Sequence, residues 1–242
     1  MRENWHGFEA ESFLFEDREA IVVFPSVPAC GRLALKTEYW NAFPDELEIP
    51  LLEKGFHLCF VDNTNRWGTQ DNLDRQARFV RFVAEKYGLS ERIVPVGMSC
   101  GGLIAIKFAA SYPELTACIY ADAPVVNYMS CPCGFGVGNP MSEREHQEVL
   151  DALGLASIAE LMAYRDMPLD RLPALVAARI PLAMVAGDSD TVVPYCENGV
   201  FVVRAYQDAG VEYIEHIKPG CNHHPHGLED PTPVVEFILK HA

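Results

Sequence analysis

Ten residues constrain this chain more than any others: Ile93-Val94-Pro95-Val96-Gly97-Met98-Ser99-Cys100-Gly101-Gly102. An apolar strand-like run enters Gly-x-Ser-x-Gly, and a small-residue helix-forming segment follows at once. So sharp a strand-to-helix turn leaves its central residue in a strained backbone conformation, projecting at the end of a sheet. Side chains two positions either side would crowd the turn, which accounts for Gly97 and Gly101. Ser99 is therefore expected to project into a cleft as a nucleophile. The backbone N–H of Cys100, at the amino end of the next helix, is expected to face a developing oxyanion.

Short apolar runs alternate with longer amphipathic ones along the whole chain. Strands are expected at 12–16, 20–25, 33–37, 57–62, 93–97, 117–122, 181–187 and 212–218. The later ones are continuous apolar runs, as parallel strands covered on both faces require. Helices are expected at 45–54, 71–87, 101–111, 196–208 and 231–241, several ending at glycine. The result is an α/β fold, an eight-stranded, mostly parallel sheet flanked by helices. The 242 residues suit one domain spanning 1–242.

One stretch breaks the rhythm. Residues 123–179 separate the sixth expected strand from the seventh. They open on a Gly/Pro/Cys-rich segment and turn helical at 142–153 and 158–164. An insertion here lies near the carboxyl ends of the strands, where open α/β sheets bind ligands. It is read as a helical cap over the site.

A serine nucleophile needs a base, and the base needs an orienting carboxylate. The expected chain order is serine, acid, histidine. Asp188 and Asp190 both follow the seventh strand. The pattern Gly187-x-x-Asp190-x-x-Val193-Pro194 resembles the acid loop of many α/β-hydrolases and selects Asp190. Asp188 is the alternative, with a loop-capping role otherwise. After the last strand come Cys221-Asn222-His223-His224-Pro225-His226. His223 occupies the place of the hydrolase histidine, although Asn222 stands where glycine is usual. His224 and His226 are expected to shape the loop or the pocket. A zinc site built from Cys221, His223, His224 and His226 is the rival reading. Its tight spacing and the prior claim of Ser99 on one histidine weigh against it.

Composition excludes some partners. Nineteen Lys and Arg stand against 34 Asp and Glu, a formal net charge of −15. So acidic a chain fits neither nucleic acid nor an anionic membrane. No apolar run reaches bilayer length and residues 1–15 lack a signal-like apolar core, so a cytoplasmic location is expected. Eight cysteines are not read as disulfides in this context. Cys59 and Cys118 sit in strand-like runs as small hydrophobes. Cys131-Pro132-Cys133 alone is weak evidence for a metal or redox site. Neither a metal nor another cofactor is called for.

Taken together, several segments resemble a bacterial α/β-hydrolase group near the prolyl-oligopeptidase-like and dienelactone-hydrolase-like esterases. They are Lys36-Thr37-Glu38-Tyr39-Trp40, Leu51-Leu52-Glu53-Lys54-Gly55, Gly97–Gly102, Tyr120–Pro124, Gly187–Pro194 and His223–Pro233. The resemblance covers nearly the whole chain and implies the α/β-hydrolase fold with a Ser99, Asp190, His223 triad. It places a second oxyanion donor after the third expected strand, on the N–H of Glu38, with Thr37 second. The Glu38 carboxylate must then turn away, and Lys36 and Arg66 are its expected partners by type. Lys36, Tyr39, Trp40, Arg66, Trp67 and His224 are the expected substrate contacts. Tyr39, Trp40 and Trp67 read equally as an aromatic platform for a sugar or aryl group and as ordinary half-buried aromatics. The expected activity is hydrolysis of a small carboxylic ester, with a carbohydrate ester as one option. A peptidase or amidase using Glu38 for an amine end is the near alternative, and a non-catalytic binding protein on the same scaffold the distant one.

Overall fold

Among the described residues, nine strands form one sheet in the order β1-β2-β3-β5-β4-β6-β7-β8-β9. They are β1 Arg2–Trp5, β2 Phe8–Phe15, β3 Arg18–Val23, β4 Leu33–Lys36, β5 His57–Val61, β6 Val94–Met98, β7 Ile119–Asp122, β8 Leu182–Gly187 and β9 Tyr213–Lys218. The computed structural model describes residues 1–140 and 142–242. The first three strands are antiparallel neighbours and β3 runs antiparallel to β5. From β5 across β4 to β9 every pairing is parallel.

The expected count of eight strands is thus corrected to nine. The missed β1, Arg-Glu-Asn-Trp, is an edge strand with three exposed residues and one buried one. Its polar run carries no apolar alternation to reveal it. The second strand also begins four residues earlier than expected, at Phe8.

Among the described residues, eight α-helices cover the sheet or extend from it: α1 Glu48–Glu53, α2 Gln70–Tyr87, α3 Cys100–Ser111, α4 Glu143–Leu153, α5 Ile158–Ala163, α6 Pro168–Ala177, α7 Gly199–Ala209 and α8 Thr232–His241. Alternation along the strands divides the core between two faces. Ala34, Val94, Val96, Ala183 and Val185 meet Leu51 and Leu52 of α1 and Val234 and Ile238 of α8. On the opposite face Leu33, Leu35 and Cys59 meet α2 and α3, while Ile119, Ala121 and Met184 meet α3, α6 and α7. Helix α3 is buried from Cys100 to Ala109. Its small, apolar composition suits that central position.

The insertion differs from the expected cap over 123–179. Helix α6 was not expected, because Pro168 and Pro173 break the helical pattern in sequence. Pro168 stands at the start of the helix, where a missing N–H costs least. Its Leu172 and Leu175 pack with Ala105, Ile106 and Val202, so α6 belongs to the layer that covers the sheet. Helices α4 and α5 are what extends beyond that layer. Val149, Leu150 and Leu161 anchor them on Trp67 and Tyr128.

Candidate active site

The turn between β6 and α3 holds Ser99 at φ 54°, ψ −119°, a conformation an L-residue adopts only under constraint. The constraint is visible around it. A Cβ on Gly97 would lie 2.1 Å from the carbonyl oxygen of Gly101. One on Gly101 would lie 3.2 Å from Thr37 Oγ1 and 3.3 Å from Glu38 Cβ. The Ser99 N–H donates to the Asp122 carbonyl of β7 at 2.8 Å, and the Ser99 carbonyl accepts from Val125 at 3.1 Å. The turn is thus pinned from β7 and the segment that follows it, and its glycines let the β4 loop press against it.

Beside the turn runs a chain of three side chains. Ser99 Oγ is 3.1 Å from His223 Nε2, and His223 Nδ1 is 2.7 Å from Asp190 Oδ2. Asp190 Oδ1 accepts the N–H groups of Val192 and Val193, each at 2.8 Å. Burial raises the Asp190 pKa, but the bond to His223, its charge and the two backbone donors outweigh that and hold the carboxyl below its ordinary value. An ionised carboxylate behind Nδ1 fixes the tautomer that leaves Nε2 to accept from the serine hydroxyl. Asp188 faces elsewhere. Its Oδ1 accepts from Gly220 N–H at 2.7 Å and from the Ser189 hydroxyl at 2.9 Å, both exposed contacts.

Asn222 has a purpose that glycine could not serve. Its Oδ1 accepts the N–H of Thr191 at 2.9 Å and of His223 at 2.8 Å. It thereby joins the acid loop to the histidine loop. Gly187 allows the two loops to close, since a Cβ there would lie 2.3 Å from the Cys221 carbonyl oxygen.

The loop after β4 approaches from the other side. Tyr39 and Phe43 both take positive φ, 55° and 51°. The N–H groups of Glu38 and Cys100 find no acceptor among the described residues, and a Cβ on Gly101 would lie 3.6 Å from Glu38 N. Thr37 is different from expectation. Its N–H donates to the Val96 carbonyl at 3.0 Å, so it is spent inside the sheet. Its hydroxyl donates to the Gly101 carbonyl at 2.7 Å, which braces the turn.

The Glu38 carboxylate does turn away, but toward neither expected partner. Asn63 Nδ2 donates to it at 2.8 Å. Gln76 Nε2 in turn holds Asn63 Oδ1 at 3.1 Å. Desolvation raises the Glu38 pKa, and the Asn63 bond opposes that rise. Lys36 is fully buried and ion-paired with Glu48, with a second bond to the Ala42 carbonyl at 3.2 Å. Arg66 is bidentate to Glu148 of α4, at 2.8 and 2.9 Å. Sequence reasoning chose partners by charge; the actual partner is a neutral amide delivered by the neighbouring strand's loop.

A cavity of about 330 Å³ opens at Ser99, lined by Tyr39, Phe43, Arg66, Met98, Val192 and the histidines His223, His224 and His226, among others. Of the expected substrate contacts, Tyr39, Arg66 and His224 face it. Lys36, Trp40 and Trp67 do not. Trp40 packs on Trp5 and Phe60, on the α1/α8 side of the sheet. Trp67 is fully buried edge-on to Tyr128, whose hydroxyl donates to its carbonyl at 2.9 Å. The aromatic platform is therefore corrected to the bland alternative for these two rings. No residue of the 123–179 insertion lines the cavity among the described residues.

Phe43, Met98 and Val192 were not singled out in sequence, because nothing local marks an apolar residue as a cavity wall. Phe43 stacks on His224 at 5.6 Å and meets His226 edge-on at 5.4 Å. Desolvation and the two neighbouring imidazoles hold His224 below its ordinary pKa. Of the rival zinc ligands, His223, His224 and His226 converge, with ligand atoms within 4.8 Å of one another; Cys221 is not in that group. Cys131 and Cys133 are buried in the core with Cys100 and Tyr128, and burial pushes both thiols up.

The family model of the prolyl oligopeptidase family, peptidase S9, matches residues 60–241, most of the chain. The chain belongs to the prolyl oligopeptidase family. No curated protein matches it. Solved structures do match. Pyrococcus horikoshii acylaminoacyl peptidase superposes with a TM-score of 0.71 at 13% identity, over 90% of this chain and 38% of that one. Porphyromonas gingivalis dipeptidyl peptidase 4 gives 0.69 at 17%, over 97% and 35%. A puromycin hydrolase gives 0.67 at 17%, over 96% and 37%. At these identities the likeness shows the shared fold, and this chain spans little more than a third of each relative's length. It is a serine-hydrolase-type catalytic domain of the prolyl oligopeptidase family. Among the described residues, no helix is long and apolar enough to cross a membrane.

Proposed function

We propose that this chain hydrolyses the amide bond of small peptide-like substrates through an acyl-enzyme on Ser99. The observation that carries the reading is the hydrogen-bonded series Asp190–His223–Ser99 opening on the 330 Å³ cavity. Membership of a peptidase family favours an amide over the carboxylic or carbohydrate ester that the sequence motifs alone allow. Two of the structural relatives are named an acylaminoacyl peptidase and a dipeptidyl peptidase.

Each step uses a named group. Ser99 Oγ attacks the carbonyl carbon while His223 Nε2 takes the hydroxyl proton. Asp190 holds Nδ1–H and stabilises the imidazolium that forms. The carbonyl oxygen, now an anion, receives the free N–H groups of Cys100 and Glu38. His223 then gives its proton to the leaving amine. Water repeats the sequence on the acyl-enzyme and frees Ser99. Tyr39, Phe43, Met98 and Val192 offer an apolar wall for the acyl side chain. The Arg66 guanidinium offers donors at the rim for a carbonyl or carboxylate beyond the scissile bond. Glu38, once a candidate for an amine end, is engaged with Asn63 and is not assigned that task.

Aminoacyl p-nitroanilides and a short p-nitrophenyl ester together test the reading. Both should be hydrolysed, and Ser99→Ala should remove at least about a thousandfold of kcat on each. Hydrolysis of the ester alone would return the account to an esterase. Unchanged rates in Ser99→Ala would reject the mechanism.

A further inference from the structure

Two carboxylate–imidazole pairs converge on the same cavity. One is Asp190–His223. The other is Asp122–His226, in which His226 Nδ1 stands 3.3 Å from Asp122 Oδ1. Both members are almost wholly buried, at 1% and 4% exposure. The contact is close but misaligned, so neither facing atom has a hydrogen bond. The other carboxylate oxygen of Asp122 is occupied by the Gly227 N–H and, at 3.4 Å, the Tyr120 hydroxyl. The proposed mechanism gives Asp122–His226 no task.

A carboxylate behind one ring nitrogen is the usual support for a histidine whose other nitrogen binds a metal. It fixes the tautomer and raises the basicity of the free nitrogen. Here His223 has that support and His226 faces a carboxylate it does not yet bond; their rings stand 4.9 Å apart, and His224 lies 5.0 and 4.9 Å from them. His224 is exposed at the mouth, so an ion has a way in. A tetrahedral ion at about 2.0–2.1 Å from each nitrogen needs its ligands drawn closer than the present limit of 4.8 Å. Side-chain rotation on binding has to close that gap, and an imidazole-only donor set with room for water suits zinc and its neighbours.

We propose that His223, His224 and His226 form a site for a zinc-class divalent ion, which silences Ser99 by taking the imidazole it depends on. Bound through Nε2 of His226, the ion would force the proton onto Nδ1 and draw it into line with Asp122. Bound at Nε2 of His223, it would displace the Ser99 hydroxyl. The inhibition rests on His223 acting as the base; the binding does not.

Zinc chloride titrated by calorimetry into a Cys30→Ser/Cys196→Ser/Cys221→Ser background, free of its accessible thiols, reads binding directly. One ion per chain is expected. His224→Ala, at an exposed position, and His226→Gln should each weaken it at least tenfold. Asp122→Asn should weaken it by about 10–100-fold. Absence of binding, or affinity unchanged in both histidine variants, overturns the proposal. The rate at which a fluorophosphonate labels Ser99 is the second readout. Saturating zinc should slow it at least tenfold in the background protein, and the same zinc concentration should slow it far less in His224→Ala. Labelling unaffected by bound zinc overturns the silencing. Absence of labelling without zinc would instead count against Ser99 as nucleophile and leave the calorimetric result to decide the site.

Discussion

Asn63 Nδ2 lies 2.8 Å from Glu38 Oε2 and 2.7 Å from the Thr37 carbonyl, so one side-chain amide both anchors the β4 loop and aims its carboxylate. A carboxylate beside an oxyanion would oppose the reaction. In the proposed mechanism the same residue donates its N–H to that oxyanion, which requires its side chain to be held aside.

Asn63→Ala should therefore lower kcat by about tenfold, short of the 100–1000-fold typical of losing an oxyanion donor outright. Charge is the proposed cause, so the double variant Asn63→Ala/Glu38→Gln should recover most of the loss. Steady-state kinetics on one chromogenic substrate checks both. A double variant no better than Asn63→Ala would assign the effect to loop position instead.

Asp190→Asn should reduce kcat by about ten-thousandfold while KM changes little, because an amide there favours the wrong imidazole tautomer. Asp188→Asn should leave kcat within a few-fold, since Asp188 faces Gly220 and Ser189 rather than His223. Parallel kinetics on the two variants separates the two acids.

Asn222→Ala should cost stability as well as rate. It removes the acceptor shared by Thr191 and His223, each bond worth about 0.5–1.5 kcal/mol. In a domain of this size each kcal/mol lowers Tm by about 2–4 °C. A thermal melt showing no shift would mean the two loops hold together without it.

Glu46 gives a pH dependence of definite sign. Desolvation, then the charges of Asp122 and Glu48, push its carboxyl up from 4.5 to about 8 in the folded chain. The folded state therefore holds this proton more tightly than the unfolded one, and stability falls as pH rises from about 4.5 to about 8. Glu46→Gln removes that loss. Its Tm advantage over the parent should be larger at pH 9 than at pH 5, as melts at the two values would show.

How much of this is legible in sequence depends on how local the cause is. The turn at Ser99 is legible because the need for glycine at 97 and 101 arises within five residues. Asp190 and His223 are legible as candidates because loops after strands of known order can meet. The partner of Glu38 is not, since Asn63 reaches it only because β5 lies beside β4 in the sheet. Trp67 shows why aromatics mislead: the same residue type serves a wall or a core, and only burial against Tyr128 decides. Strand β1 is hidden by its polar edge, and α6 by two prolines whose positions a helix tolerates. Charge-based pairing failed for Lys36 because the buried Glu48, twelve residues on, claims it.

The most direct test of the central claim is covalent. Treated with a fluorophosphonate and mapped by peptide mass spectrometry, the protein should gain one adduct, on Ser99, and none in Ser99→Ala. His223→Ala should slow that labelling by orders of magnitude. An adduct on another residue, or none on the folded parent protein, would contradict the account.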